Sequence, residues 1–596
     1  MIFATLATYF DAIESTSSRL AMTEKIAELF KETTPDEINK VVYMLQGRVT
    51  PPYVKADFGL GEKMIIKAVL KALNLNEKSF TKRFKTMGDI GLSTEKFKKE
   101  ISIFHAHDES VKTIFNQLAA LTKTAGTGSY GKKIGILADL VRTLDPLSTR
   151  YVVRIPAQTL RLGFSDMTIL DALSWMLTGD KRLRKEIEAA YHVRPDLGYI
   201  AQMLKKEGLY GIAKIEPEVG TPIIMMRAQR LPSPEDIIEK LKTGIVEPKY
   251  DGFRLQCHIK KGHVTLFSRG LDDVTYMYPD VVEGIRKELK AESAIIEGEA
   301  IGFDPYSGSF LPFQETVQRK RKYDIDTKAK EIPLKLFVFE LLYLNGKSLL
   351  HEPLTERIQL LKKHVSHKHD HFSKTILVSD EKTVNSVKDI TLHFDEAIAK
   401  GLEGIMIKKK EGLYQPGARG WSWIKYKRSY SSKIDDTIDC LVMGFDRGKG
   451  KRAGFGIGAF LVGIYSEQSD TYKTVAKIGT GLSDMEWRTL EKRCTHIAAS
   501  HKPALYDVDK LMSVDVWVQP EIVVEIKADE ITRSPTHTAG RVLKSTKTGK
   551  ALEVETPGFA LRFPRLQRFR EDKKPEDVTT VKEVSAMYKE QGQASH

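Results

Sequence analysis

"EPKYDGFRLQCHIKKGHVTLFSR", residues 247–269, is the stretch on which the reading of this chain turns. Its second half is a hairpin. Phe253, Leu255, Cys257 and Ile259 alternate with Arg254, Gln256, His258 and Lys260, the period of a half-buried strand. "KKGH" then signals a turn and "VTLFSR" (264–269) returns as the second strand. The first half sets Lys249 between Pro248 and Asp251-Gly252. In an extended chain Lys249 and Asp251 project to one side, and Gly252 lets another group approach the backbone closely. A lysine amine attacks only when neutral, which takes desolvation or neighbouring cations. Arg254 and Arg269, on adjacent strands of the hairpin, supply such a field and can hold phosphate oxygens. Spacing alone still favours a solvated surface lysine, the usual place for that side chain.

The rest of the chain sets the context. Its 596 residues imply two to four domains, and 41% hydrophobic with 29% charged residues implies a globular chain. No uncharged apolar run reaches the roughly 18 residues of a membrane span. The start "MIFATLATYFDAIEST" lacks the basic opening of a signal peptide. Cys257, Cys440 and Cys494 lie too far apart for a disulfide framework or a zinc cluster, so a reducing interior is expected. A net charge of +14 points to a polyanionic partner such as nucleic acid.

Residues 1–216 read as helical: "TEKIAELFKE" and "DMTILDALSWMLTGD" space apolar residues at three and four, with Ser165 as N-cap of the second. "EPEVGTPIIMM" marks a junction, and residues 217–430 read as α/β on an antiparallel sheet. Strands are expected at "AIIEGEAIGF", "LKLFVFELLYLNG" and "EGIMIKK", with "LTERIQLLKKHV" as a helix between them. Residues 431–596 read as an all-β, small antiparallel barrel with strands at "DTIDCLVMGF", "GAFLVGIY", "TYKTVAKIGTG" and "EIVVEIKADEI"; the closing "EQGQASH" is expected to fray. One louder phosphate signal is set aside. "GTGSYGKK" (126–133) nearly spells a P-loop, but Lys133 stands where a Ser or Thr must ligate magnesium, and the preceding "IFNQLAALTKT" reads as helix rather than strand.

"KYDGFR" has the K-x-D-G-x-R pattern of the covalent nucleotidyltransferases. After it come, in order, "FSRG" (267–270), "EGEAIGFD" (297–304), "FVFELLYLNG" (337–346), "LEGIMIKK" (402–409), "WSWIKYK" (421–427), "LRFPR" (561–565) and "REDKKPEDVTT" (570–580). The series resembles the motifs of ATP-dependent DNA ligases of the archaeal and eukaryotic replicative type. "RIPAQTLRLGFSDMTILDAL" (154–173) resembles that family's helical DNA-binding domain. The resemblance covers nearly the whole chain and implies an all-α DNA-binding domain, an α/β nucleotidyltransferase domain and an all-β OB-fold domain.

It also implies roles. Lys249 would attack the α-phosphate of ATP and carry AMP to nicked double-stranded DNA. Glu247 would accept from the adenine amino group, Phe339 would stack on the base, Arg254 would contact phosphate or the nick, and Arg269 and Glu299 the ribose end. Lys425 and Lys427 would contact the α-phosphate and Arg419 would make a further nucleotide contact; alternation sets Trp421, Trp423, Lys425 and Lys427 on one face. Glu299 and Glu403 are the metal-supporting carboxylates, with Glu297 the weaker choice, for Mg²⁺ or alternatively Mn²⁺. Arg570, Asp572 and Lys573 would orient the pyrophosphate leaving group, and the loop 447–452, "RGKGKR", would touch the DNA backbone. The resemblance further implies a cytoplasmic, nucleoid-associated monomer of archaeal source. A sliding clamp is a candidate partner through "FKKEISIF" (97–104).

Overall fold

A computed structural model describes residues 1–16, 18–100, 107–160, 162–231, 233–304, 309–311, 313–321, 323–365, 373–400, 402–427, 437–448, 456–479, 482–545 and 552–593. These fall into two compact units, Met1–Tyr426 and Lys427–His596. No helix among the described residues is long and apolar enough to cross a membrane.

The first unit opens with twelve described helices between Phe3 and Ala213 around one apolar core that runs from Phe3 to Ile212. Local chemistry starts them where the sequence promises. Ser110 accepts from the Thr113 N–H at 3.0 Å, and Asp145 accepts from the Ser148 N–H with Pro146 in the first turn. The helix Asp166–Thr178 does begin after Ser165 and stops at the left-handed Gly179, but the Ser165 hydroxyl makes no capping bond; its carbonyl takes the Thr168 N–H instead. The near P-loop joins two helices, Val111–Lys123 and Ser129–Thr143, and Lys133 is buried with its ammonium on the Phe58 carbonyl at 2.6 Å.

Two sheets follow in the same unit. The first has the order β1 (Arg227–Arg230), β11 (Arg419–Lys427), β10 (Gly404–Lys409), β2 (Gly244–Lys249) and β9 (Lys382–Val384). The second has the order β4 (His263–Ser268), β3 (Phe253–Lys260), β5 (Ser293–Gly302), β6 (Leu334–Leu344) and β7 (Lys347–Ser348), with β8 (Ile376–Val378) parallel to β6. The β3–β4 hairpin forms as its alternation requires, and Lys261 and Gly262 both take positive φ in its turn. Residues 247–254 are not one extended strand, however. β2 ends at Lys249, and 250–252 turn the chain from the first sheet into the second. Pro248 is tolerated because β9 pairs only with Gly244–Val246, so β2 has a single neighbour there.

The second unit is built on β12 (Ile438–Arg447), β13 (Ile457–Ser466) and β14 (Thr471–Ile478), paired antiparallel in that order, with Val523–Lys527 added beside β12. Two details differ from a purely antiparallel reading. β14 pairs parallel with Tyr506–Asp507, and "EIVVEIKADEI" is two strands, Val523–Lys527 and Glu530–Ser534, in different sheets. Residues 449–452 of the basic loop lie outside the described residues.

Candidate active site

The corner between the two sheets holds Lys249. Its carbonyl accepts the Glu403 N–H at 3.1 Å, and its ammonium pairs with the Glu403 carboxylate, each side chain about one quarter exposed. Glu299 reaches in from β5. Burial pushes its carboxyl up to about 7, while Lys249, Arg254 and the Gly252 N–H pull the other way. Two sheets thus bring one ammonium into an ion pair with Glu403 and into the electrostatic reach of Glu299. Gly252 makes the approach possible: a Cβ there would sit 2.2 Å from the Ala300 carbonyl oxygen of β5.

One layer deeper lies Glu247. It is 4% exposed, and Lys408 of β10 meets its two oxygens at 2.8 and 2.7 Å. Lys408 also donates to the Phe339 carbonyl at 3.0 Å, and its ammonium is 4.6 Å from the Trp423 ring centroid and 4.9 Å from that of Phe339. Burial raises the Glu247 carboxyl to about 7 against the attraction of Lys408. Phe339 stands edge-on to Trp423 at 6.0 Å and keeps part of its surface open. Met406 faces Glu247 across the β10–β2 register and packs on the same cluster.

The face of β3 expected to meet water is buried. Gln256 is 0% exposed and His258 1%, because residues 219–226 lie across them. His258 Nδ1 accepts the Gly220 N–H at 2.9 Å, so Nε2 carries the proton and donates to Gln256 Oε1 at 3.0 Å. Burial holds that ring neutral, its pKa pushed down to about 3. Gln256 also takes the Ile223 N–H at 2.7 Å and gives its amide protons to the Ile223 carbonyl and Glu297. Glu297 further accepts from Arg254 at 2.7 Å and from the Tyr414 hydroxyl, which in turn accepts the Met226 N–H. Every oxygen of Glu297 is occupied by protein donors, whereas Glu299 lies beside Lys249. Arg254 is therefore held by Glu297 and the Met226 carbonyl, over the rings of Phe339 and Trp423.

Arg269 is exposed just past β4, next to Arg254 in the strand register. Lys425 lies half-buried in β11 opposite Arg230; Arg419 and Lys427 begin and end that strand. The one-face reading of "WSWIKYK" is corrected. The β1–β11 register jumps from Gly420 to Ile424, so Trp421 is 43% exposed beside Lys240 while Trp423 is 3% exposed against Phe339 and Tyr414.

In the second unit Arg570, Asp572 and Lys573 form one cluster. Arg570 pairs with Asp439 at 2.9 Å and Asp572 at 2.6 Å, and Lys573 with Asp439 at 2.7 Å. The Arg570 guanidinium holds the Asp572 carboxyl well below its usual range.

Sequence reasoning missed Lys408, Met406, Tyr414 and Gln256 as partners of the corner, and it named Glu297 only as the weaker choice of metal carboxylate, whereas Arg254, Gln256 and Tyr414 engage it. "EGIMIKK" gives a weak clue to the first: a lysine in phase with Met406, on the face that Glu247 shares.

A polar corner between two sheets, with a paired lysine and buried carboxylates, is the setting of a nucleotidyl-transfer enzyme. Three family models match the chain: DNA ligase N terminus over residues 2–174, ATP dependent DNA ligase domain over 225–427, and ATP dependent DNA ligase C terminal region over 453–573. A probable DNA ligase of Dictyoglomus turgidum is 43% identical over 592 residues, covering 99% of this chain and 98% of that protein. A DNA ligase of Saccharolobus solfataricus is 38% identical over 604 residues, with 99% and 98% covered. The chain belongs to the ATP-dependent DNA ligase family. Among solved structures, Pmar-Lig_PreS3 shares the fold at a TM-score of 0.54 and 18% identity, covering 95% of this chain and 99% of its own.

Proposed function

We propose that this chain uses ATP to seal nicks between a 5′-phosphate and a 3′-OH in duplex DNA, acting in replication, repair and recombination. The observation that carries the reading is Lys249 at the sheet corner, paired with Glu403 and acting electrostatically on Glu299, in a chain of this family. An ammonium has no lone pair, so attack requires the loss of a proton, and Glu403 is the carboxylate that takes it. The Lys249 nitrogen then forms a bond to the α-phosphorus of ATP, the bond from that phosphorus to the bridging oxygen breaks, and pyrophosphate leaves. The 5′-phosphate of the nick next takes the AMP from lysine. Finally the 3′-OH attacks the 5′-phosphorus, and AMP departs with the electron pair of the broken bond.

Glu247 reads the adenine edge and Phe339 stacks on the ring. Arg254, Arg269, Arg419, Lys425 and Lys427 hold ribose and phosphates, and Arg570, Asp572 and Lys573 orient pyrophosphate. Regions 1–216, 217–430 and 431–596 serve as DNA-binding, adenylation and OB-fold modules.

Magnesium, or manganese in its place, fits the donor set. Among the described residues no group of three or more His, Cys, Asp or Glu is gathered to hold an ion alone. Glu299 and Glu403 would instead supply the one or two carboxylates of a site completed by substrate phosphates. Bound there, the ion would neutralise charge on the phosphate oxygens. A sliding clamp would engage 97–104, of which residues 101–104 lie outside the described residues. The monomeric, cytoplasmic, nucleoid-associated state belongs to the same reading.

The test is to mix protein, magnesium and α-labelled ATP. A covalent lysyl-AMP adduct is expected, and Lys249→Ala abolishes it. Label that persists in Lys249→Ala would refute the assignment.

A further inference from the structure

Adenine and guanine differ at C6, where a carboxylate aimed at the exocyclic group can read the difference, and at N1, an acceptor in adenine and an N–H donor in guanine and hypoxanthine. Adenine offers an amino donor at C6, guanine and hypoxanthine an oxygen acceptor. An ionised carboxylate accepts only; a protonated one also donates and so accommodates the oxygen. Base choice therefore depends on keeping the carboxylate ionised in a place where burial works against the charge.

Glu247 is in such a place, and Lys408 is built around it. Lys408 is itself 1% exposed, and both Glu247 oxygens lie within hydrogen-bond reach of its ammonium. The Phe339 carbonyl takes a further proton of that ammonium at 3.0 Å, so the ring and the carboxylate are tied to one cation. Trp423 and Phe339 stand near the same ammonium, a contact that favours the charged form where water is excluded. The β10–β2 register sets the geometry: Met406 lies opposite Glu247, and Lys408 follows two residues on along the same face. A carboxylate has about four lone-pair positions, and the lysine engages two of them, leaving the others for the base. The other charged groups that act on Glu247, Glu340 of β6 and Glu381 beside β9, are both acidic and oppose its ionisation.

We propose that Lys408 is a positioning residue that sets the base selectivity of this site by holding Glu247 as a fixed, acceptor-only carboxylate against C6 of the purine. The proposal rests on the reading of Glu247 as the base selector. It goes beyond that reading by making selectivity a property of the ion pair rather than of the glutamate alone.

The experiment uses the full chain carrying Lys249→Ala, in which no adduct forms, and measures equilibrium binding of ATP and ITP. ITP carries the C6 oxygen without guanine's extra amino group. Selectivity is thereby judged whether or not the chain adenylates, and the labelling test with Lys249 intact judges the ligase reading separately. Lys408→Met is expected to shrink the ATP-over-ITP preference by about tenfold or more, the factor one unit of carboxyl pKa represents. Lys408→Arg, which retains the charge, is expected to restore most of it. In a Glu247→Gln background, Lys408→Met should change the ratio no further. Equal weakening of ATP and ITP by Lys408→Met would overturn the proposal, since a purely structural lysine predicts that result. Loss of the ratio in Lys408→Arg to the same extent as in Lys408→Met would overturn it too. Thermal unfolding is followed for each variant; should Lys408→Met not fold, Lys408→Gln, which keeps a donor for the Phe339 carbonyl, carries the same comparison.

Discussion

Gly252→Ala tests whether the sheet corner positions Lys249. An alanine Cβ would lie 2.2 Å from the Ala300 carbonyl oxygen and 2.9 Å from its carbon, and side-chain Cβ atoms essentially never approach closer than 3.0 Å. The obstacle is strand backbone, which cannot swing aside as a side-chain tip would. Either β5 retreats or the corner rotates, by most of an ångström. Overpacking of that kind costs about 1–3 kcal/mol. The catalytic effect is larger than the loss of stability suggests. The Gly252 N–H bonds to Glu299, Lys249 is three residues back along the same corner, and a misplacement of about 1 Å costs on the order of 100-fold in rate. Single-turnover formation of lysyl-AMP is therefore expected to slow about 100-fold, while the melting temperature falls by only a few degrees. Gly135→Ala is the control: it lies in the helix Ser129–Thr143 with nothing within 4 Å of its Cβ, and adenylation should be unchanged. Adenylation by Gly252→Ala at a rate near that of wild type would refute the positioning argument.

Three further outcomes are expected. Glu297→Ala strands the buried Arg254 guanidinium together with the Gln256 and Tyr414 donors, so it should cost about 3–5 kcal/mol in urea unfolding; Glu299→Ala, which removes a carboxyl that burial already disfavours as an ion, should cost far less. Burial raises Glu247 from 4.5 to about 7, so between those values the folded chain holds a proton there that the unfolded chain has released, and above about 7 the carboxylate facing Lys408 is ionised. That contribution favours folding at low pH and is lost as pH rises from about 4.5 through about 7, so the stability of wild type relative to Glu247→Gln should decline by on the order of 3 kcal/mol across that window. Arg570→Ala should impair enzyme adenylation at least about tenfold more than sealing of a pre-adenylated nick, and equal losses in the two assays would contradict a leaving-group role.

How much of this was legible in the sequence depended on how far away each residue's partner lies. The β3–β4 hairpin needs only its own alternation and a turn, and it formed as read. The same alternation placed Gln256 and His258 on a wet face, because it cannot know that residues 219–226 return to cover them. Trp421 and Trp423 were parted by a register jump against β1, nearly two hundred residues upstream, which period-two counting cannot register. Lys408 was hidden by a base rate, since lysines in strands are ordinarily solvated. The corner was misread for a related reason. "KYDG" is compatible with an extended strand, and only the competition of β10 for Lys249 and of β5 for the residues after Gly252 divides it between two sheets. The motif residues gather at that division: Lys249 closes one sheet, Arg254 and Glu299 face each other in the other, and Glu403 enters from β10's leading edge. Spacing along the chain could name these groups, but it is the break between the sheets that brings their charges together, so a substitution that straightens the corner should separate them even with every charged residue intact.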